Sequence, residues 1–154
     1  MKPYFGSPQR RAALVATASH WFGTPFHPHA AIQRGGVDCV WLAARIYIEC
    51  GAIAEFNPPP YTMDGGSHNE LSQVLAWLNQ SNRFLQVLES GVKLKLEAGD
   101  LLCFRMGRVE HHVGVVLTES TFIHSVRVHG VTESHLNDST WHKRLAAVYR
   151  PIEP

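Results

Sequence analysis

Gly35-Gly36-Val37-Asp38-Cys39-Val40-Trp41-Leu42-Ala43-Ala44-Arg45-Ile46-Tyr47-Ile48-Glu49-Cys50-Gly51 is the stretch from which the fold of this chain works outward. Two glycines break the backbone, and Asp38 then offers an N-cap oxygen to the first free amides of a helix. About three turns of helix-forming residues follow, and Gly51 suits the left-handed residue that ends them. Cys39 therefore falls in the first turn. Unpaired N–H groups point out of that turn and the helix dipole favours negative charge there, so a thiolate is expected to be stabilised. The alternative is that Cys39 is a small buried hydrophobe. A downstream histidine with a polar partner decides between the two.

Upstream, Ser7-Pro8 reads as N-cap and first helical residue. That helix is expected to run to about Phe22, with Leu14, Ala18, Trp21 and Phe22 on its apolar side, and to stop at Gly23 and Pro25. The loop Gly23-Thr24-Pro25-Phe26-His27-Pro28-His29 then leads to the Cys39 helix. His27 and His29 point the same way in an extended dipeptide and form a weak candidate metal pair. Downstream, Pro58-Pro59-Pro60 imposes extended backbone. Ser67-His68-Asn69-Glu70 matches a capping box, followed by Leu71, Val74, Leu75 and Leu78 at helical spacing.

From Arg83 the period changes. Strands are read at Phe84–Leu88, Leu101–Phe104, Val113–Leu117, Phe122–Val126 and Leu145–Tyr149. Short connections favour antiparallel pairing, and helices followed by strands imply an α+β fold, with N-terminal helices packed on a C-terminal antiparallel sheet. At 154 residues the chain reads as one domain, 1–154.

The strand pattern carries the chemistry. Alternation turns His112 to the same side as Gly114 and sends His111 to the other. If Thr118-Glu119-Ser120 is a three-residue hairpin loop, His124 falls opposite Gly114 and becomes a diagonal neighbour of His112, with about 7–8 Å between backbones. A two-residue loop would put the pair on opposite faces. A thiol nucleophile needs a base and a group to orient that base, and Cys39, His112 and His124 can fill these roles in that order. Taken singly, His112 also reads as a solvated edge histidine and His124 as a hydrogen-bonded core histidine.

The totals exclude other classes. A formal net charge of +1 argues against nucleic acid or anionic membrane as a partner. Three cysteines suggest no disulfide framework, and Cys39 and Cys50 would lie about 16 Å apart along one helix. Met1–Arg11 lacks the apolar segment of a signal peptide, and no stretch approaches the ~18 apolar residues of a membrane span. Cytoplasmic synthesis and retention are the expectation.

These motifs resemble the NlpC family of bacterial cell-wall cysteine endopeptidases, which have a papain-like fold. The residues that carry the resemblance are Gly35-Gly36-Val37-Asp38-Cys39, Gly99-Asp100-Leu101, His112-Val113-Gly114-Val115 and Ile123-His124, with Gly23-Thr24-Pro25 upstream. The resemblance implies Cys39 as nucleophile, His112 as general base and acid, and His124 as the orienting member, with no metal and no cofactor. It implies hydrolysis of an amide in the peptide stem of peptidoglycan, of the γ-D-glutamyl–diamino acid type. It also implies a stand-alone member of the phage-tail or prophage kind, with phage tail proteins as further partners, reaching the wall by phage particle, lysis or secretion. Phe26 stands where the family usually has Tyr, and Val40-Trp41 where it usually has Ser-Gly. Phe26, His27, Asp38 and Trp41 are thus candidates for substrate or oxyanion contacts, beside the Cys39 N–H. Two rivals remain: an inert phage-tail or binding module on the same fold, and a cupin-type metal protein using His111, His112, His124 and His129.

Overall fold

The computed structural model describes residues 1–55, 78–87, 95–106 and 109–154, without the side chains of 106 and 109–111. A short 3-10 helix at Tyr4–Gly6 precedes α1 (Pro8–Ser19), whose N-cap Ser7 accepts from the Arg10 N–H. α1 stops at Ser19 rather than near Phe22. The chain turns off it so that the Gly23 N–H can reach the Val131 carbonyl at 3.0 Å. Leu14, Ala18 and Trp21 are buried as the pattern requires, whereas Phe22 is exposed. A two-residue hairpin follows, β1 (Ala31–Ile32) with β2 (Gly36–Val37).

α2 (Cys39–Glu49) has the limits its residues dictate. The Asp38 carboxylate caps the Trp41 N–H at 2.8 Å, and Gly51 takes φ +75° just beyond the C-cap. Seven of its eleven side chains are buried, among them Leu42, Ile46 and Tyr47. Each such aliphatic side chain contributes roughly 2 kcal/mol by leaving water.

Six strands form one antiparallel sheet: β3 (Phe84–Gln86), β4 (Leu101–Met106), β5 (Val109–Val116), β6 (Thr121–Val126), β7 (Gly130–His135) and β8 (Leu145–Pro151), in the order β3-β8-β4-β5-β6-β7. The α+β architecture read from the sequence is the one observed. β7 and the short helix α3 (Ser139–Arg144) were not among the expected elements. The proline run and the helix read from Ser67 lie outside the described residues, except for helical 78–80. Among the described residues no helix is long and apolar enough to cross a membrane.

Alternation gives the sheet two apolar faces. Val113, Val115, Ile123 and Val131 pack with α1 and α2 in the larger core. Leu102, Phe104, Val116, Phe122 and Val148 make a second cluster on the opposite face, covered by Trp141 of α3. The start of β4 is tied to the end of the neighbouring β8 by Asp100, which is fully buried and accepts from Arg150 Nε and Nη2 at 2.8 Å each. Tyr47 adds a buried bond from α2 to the Gly99 carbonyl at 2.8 Å.

Candidate active site

The histidine pair follows from strand register. β5 and β6 pair as Val115↔Ile123 and Val116↔Phe122, and the Leu117 N–H bonds the Thr121 carbonyl at 2.9 Å. The loop is therefore Thr118-Glu119-Ser120, and the same register sets Gly114 opposite His124. His112 and His124 become diagonal neighbours on one face, with His112 Nε2 and His124 Nδ1 2.7 Å apart. Gly114 has a packing reason: a Cβ there would strike the Phe122 ring, which lies edge-on to His124 with centroids 4.6 Å apart. His111 is the residue passed over where Phe104 pairs with His112 and Arg105 with Glu110.

The two imidazoles sit in an aromatic enclosure. The Trp141 ring is 5.3 Å from His112 and 4.8 Å from His124, and Phe104 lies 5.9 Å from His112. His124 is 1% exposed, and burial lowers its pKa from 6.5 to about 4, so it is neutral at pH 7. Its second ring nitrogen, Nε2, is 2.8 Å from the Ser134 hydroxyl of β7.

Cys39 arrives from the other face. The Ser125 hydroxyl, on the opposite side of β6 from His124, donates to the Val37 carbonyl at 2.8 Å and anchors the approach to α2. The Cys39 sulfur lies against the backbone N–H of Val113, the residue after His112. Val113 lies two residues before Val115, the first residue of β5 paired with β6.

The expected neutral-pH thiolate is not what the surroundings favour. Burial above all, and then the Asp38 carboxylate, raise the Cys39 pKa, while the N–H groups of Val113, Val40 and Cys39 lower it; the net is a rise from 9.0 to about 12. The helix-start amides are in place, but enclosure outweighs them. Cys39 is 1% exposed, so its thiol is protonated in the free protein.

The remaining candidates have local structural work. Asp38 is fully buried, and its second carboxylate oxygen accepts from the His29 N–H at 2.6 Å. Both oxygens therefore serve backbone, which explains an Asp at this position. The exposed His27 lies against Gly36, where its ring leaves no room for a Cβ. Phe26 is half-buried beneath the Arg127 guanidinium at 5.7 Å, and Trp41 is half-buried against the larger core. Gly23-Thr24-Pro25 stitches edge strand β7 to β2: Val131 donates to Thr24 and Val37 to Pro25, at 2.9 Å each. Among the described residues no three His, Cys, Asp or Glu side chains converge as metal ligands. His129 is exposed in the β6–β7 turn, away from the pairing of His112 with His124. Ser134 and Trp141 escaped the sequence reading because they belong to β7 and α3.

Comparisons with known proteins bear on the family and the fold. The model of the NlpC/P60 family matches residues 23–150. An Escherichia coli protein named murein DD-endopeptidase MepS/murein LD-carboxypeptidase is 39% identical over 57 residues, which is 37% of this chain and 30% of that protein. The match thus spans less than a third of that relative's length. An NLP/P60 family protein from Staphylococcus aureus superposes over 99% of this chain and 44% of its own, with TM-score 0.66 at 18% identity. The NlpC/p60 domain of peptidoglycan hydrolase SagA does so over 93% of this chain and 98% of its own, with TM-score 0.55 at 19% identity. The shared fold, and the family model matched over most of the chain, establish that this protein belongs to the NlpC/P60 family.

Proposed function

We propose that this chain is a cysteine hydrolase that cleaves an amide in the peptide stem of bacterial peptidoglycan, of the γ-D-glutamyl–diamino acid endopeptidase type, after phage, lysis or secretion has carried it out of the cytoplasm. The observation that supports it most is the 2.7 Å contact between His112 and His124 one residue from the backbone amide that faces the Cys39 sulfur. In this reading His112 Nδ1 takes the thiol proton as sulfur attacks the carbonyl, and the Cys39 N–H faces the developing oxyanion. His112 then returns the proton to the leaving amine, and water hydrolyses the thioester. Because burial raises the thiol to about 12, the sulfur is protonated at pH 7, and proton transfer accompanies attack rather than preceding it.

The test is incubation of wild type and Cys39→Ala with muropeptides, with products identified by mass. The substrates should include D,D cross-links and L,D bonds, which the name of the E. coli relative covers, as well as the γ-D-glutamyl bond. Cleavage by the wild type alone is expected; equal cleavage by both proteins refutes the mechanism. The enclosure of Cys39 favours one second reading, an inert module of a phage tail on this fold. A wild type without product on every muropeptide would support that reading.

A further inference from the structure

We infer that Ser134 is a positioning residue that holds the His112–His124 pair in the tautomer able to act as a base. The inference rests on the hydrolase reading above. His112, His124 and Ser134 occupy successive diagonals of one sheet face: β6 and β7 pair as His124↔Thr132 and Phe122↔Ser134, which brings the Ser134 hydroxyl to 2.8 Å from His124 Nε2. With the 2.7 Å contact between the rings, the three side chains form one continuous hydrogen-bonded chain.

A neutral imidazole donates through one nitrogen and accepts through the other, so this chain has two polarities. In the first, His112 Nε2–H donates to His124 Nδ1, and His124 Nε2–H donates to the Ser134 oxygen. His112 Nδ1 then carries a lone pair and can take a proton. In the reversed polarity His124 Nδ1–H donates to His112 Nε2, the His112 proton moves to Nδ1, and the base is blocked. His124 is buried, so without an acceptor its Nε2–H would be left unpaired in the interior. An orphaned N–H is less tolerable than an orphaned lone pair. Removing the Ser134 hydroxyl therefore tilts the pair toward the reversed, blocked polarity.

The test compares Ser134→Ala and Ser134→Thr with wild type, by steady-state hydrolysis and by ¹⁵N–¹H spectra of the histidine rings. In wild type the proton of His124 is expected on Nε2. In Ser134→Ala it moves to Nδ1, kcat falls about 10- to 100-fold, KM stays within twofold, and Ser134→Thr restores both rate and tautomer. An unchanged tautomer in Ser134→Ala, or a changed tautomer with unchanged kcat, overturns the inference. If wild type hydrolyses no muropeptide, the hydrolase reading fails, and the spectra still decide whether Ser134 sets the tautomer.

Discussion

Acidification from pH 7 to pH 4 should cost this protein stability at His124, separately from what its carboxylates contribute. Its ring is 1% exposed, and its pKa falls from 6.5 to about 4 because burial disfavours the imidazolium. Between these values the unfolded chain binds a proton that the folded chain refuses. Stability from this group is therefore complete above about 6.5 and is lost as the pH falls toward 4. A shift from 6.5 to about 4 corresponds to about 3 kcal/mol at the acid end, with about 2 kcal/mol already lost at pH 5. His112 shares a hydrogen bond with this ring, so the apparent titration belongs to the pair. Carboxylates also titrate in this range, and the assay has to subtract them. Urea denaturation of wild type and His124→Gln at half-unit steps from pH 4 to 7.5 does so, since both proteins carry the same acids. The stability advantage of wild type over His124→Gln should shrink by about 3 kcal/mol as the pH falls. A difference that stays constant over the whole range would refute the claim that burying a neutral imidazole at His124 costs stability in acid.

Three further outcomes are expected. The rate of Cys39 alkylation by iodoacetamide, followed by peptide mass mapping, should rise about tenfold per pH unit from 7 to 10, because burial holds its thiol up at about 12; a flat profile would mean a thiolate–imidazolium pair already formed at neutral pH. Asp100→Ala should destabilise by about 2–3 kcal/mol by removing both short bonds to Arg150 and the acceptor of the Glu97 N–H, whereas Glu97→Ala, which removes the more exposed partner of Arg150 at 3.1 Å, should cost under about 1 kcal/mol; equal losses in a thermal melt would contradict the assignment. Gly130→Ala should cost more than about 1 kcal/mol, since Gly130 holds φ +67° and a Cβ there would strike the Thr24 carbonyl of the loop bonded to β7; a melting temperature equal to wild type would argue against that stitching.

The features legible in the sequence were those with a local signature. Asp38 and Gly51 bracket α2 because caps are short-range chemistry, and the β5–β6 register followed from one loop length and strict alternation. Depth was not legible. Cys39 at a helix start reads the same whether its sulfur meets water or the underside of a sheet, and only packing shows that burial overrides the helix amides. β7 carries little apolar signature, because Gly130-Val131-Thr132-Glu133-Ser134-His135 is an edge strand that turns Glu133 and His135 to solvent. The Gly130 turn followed by Val131 was the available signal. Once β7 is recognised, counting register from His124 finds Ser134 without coordinates. Trp141 lies in a six-residue helix, too short to show a period, and its place over the histidines is a product of the tertiary fold.

The register between β5 and β6 sets two different tolerances in one molecule. The Cys39 sulfur meets the Val113 N–H of β5, while the imidazoles stand on the opposite face of the sheet. A slip of β6 by two residues would keep every side chain on its proper face, and the apolar layers could still close. A slip in the direction away from His112 would also carry His124 about 7 Å further from it. The body of the protein can thus survive errors of alignment that the histidine pair cannot, and variants that fold well yet lose the contact between His112 and His124 are to be sought first among changes to the three-residue turn at Thr118-Glu119-Ser120.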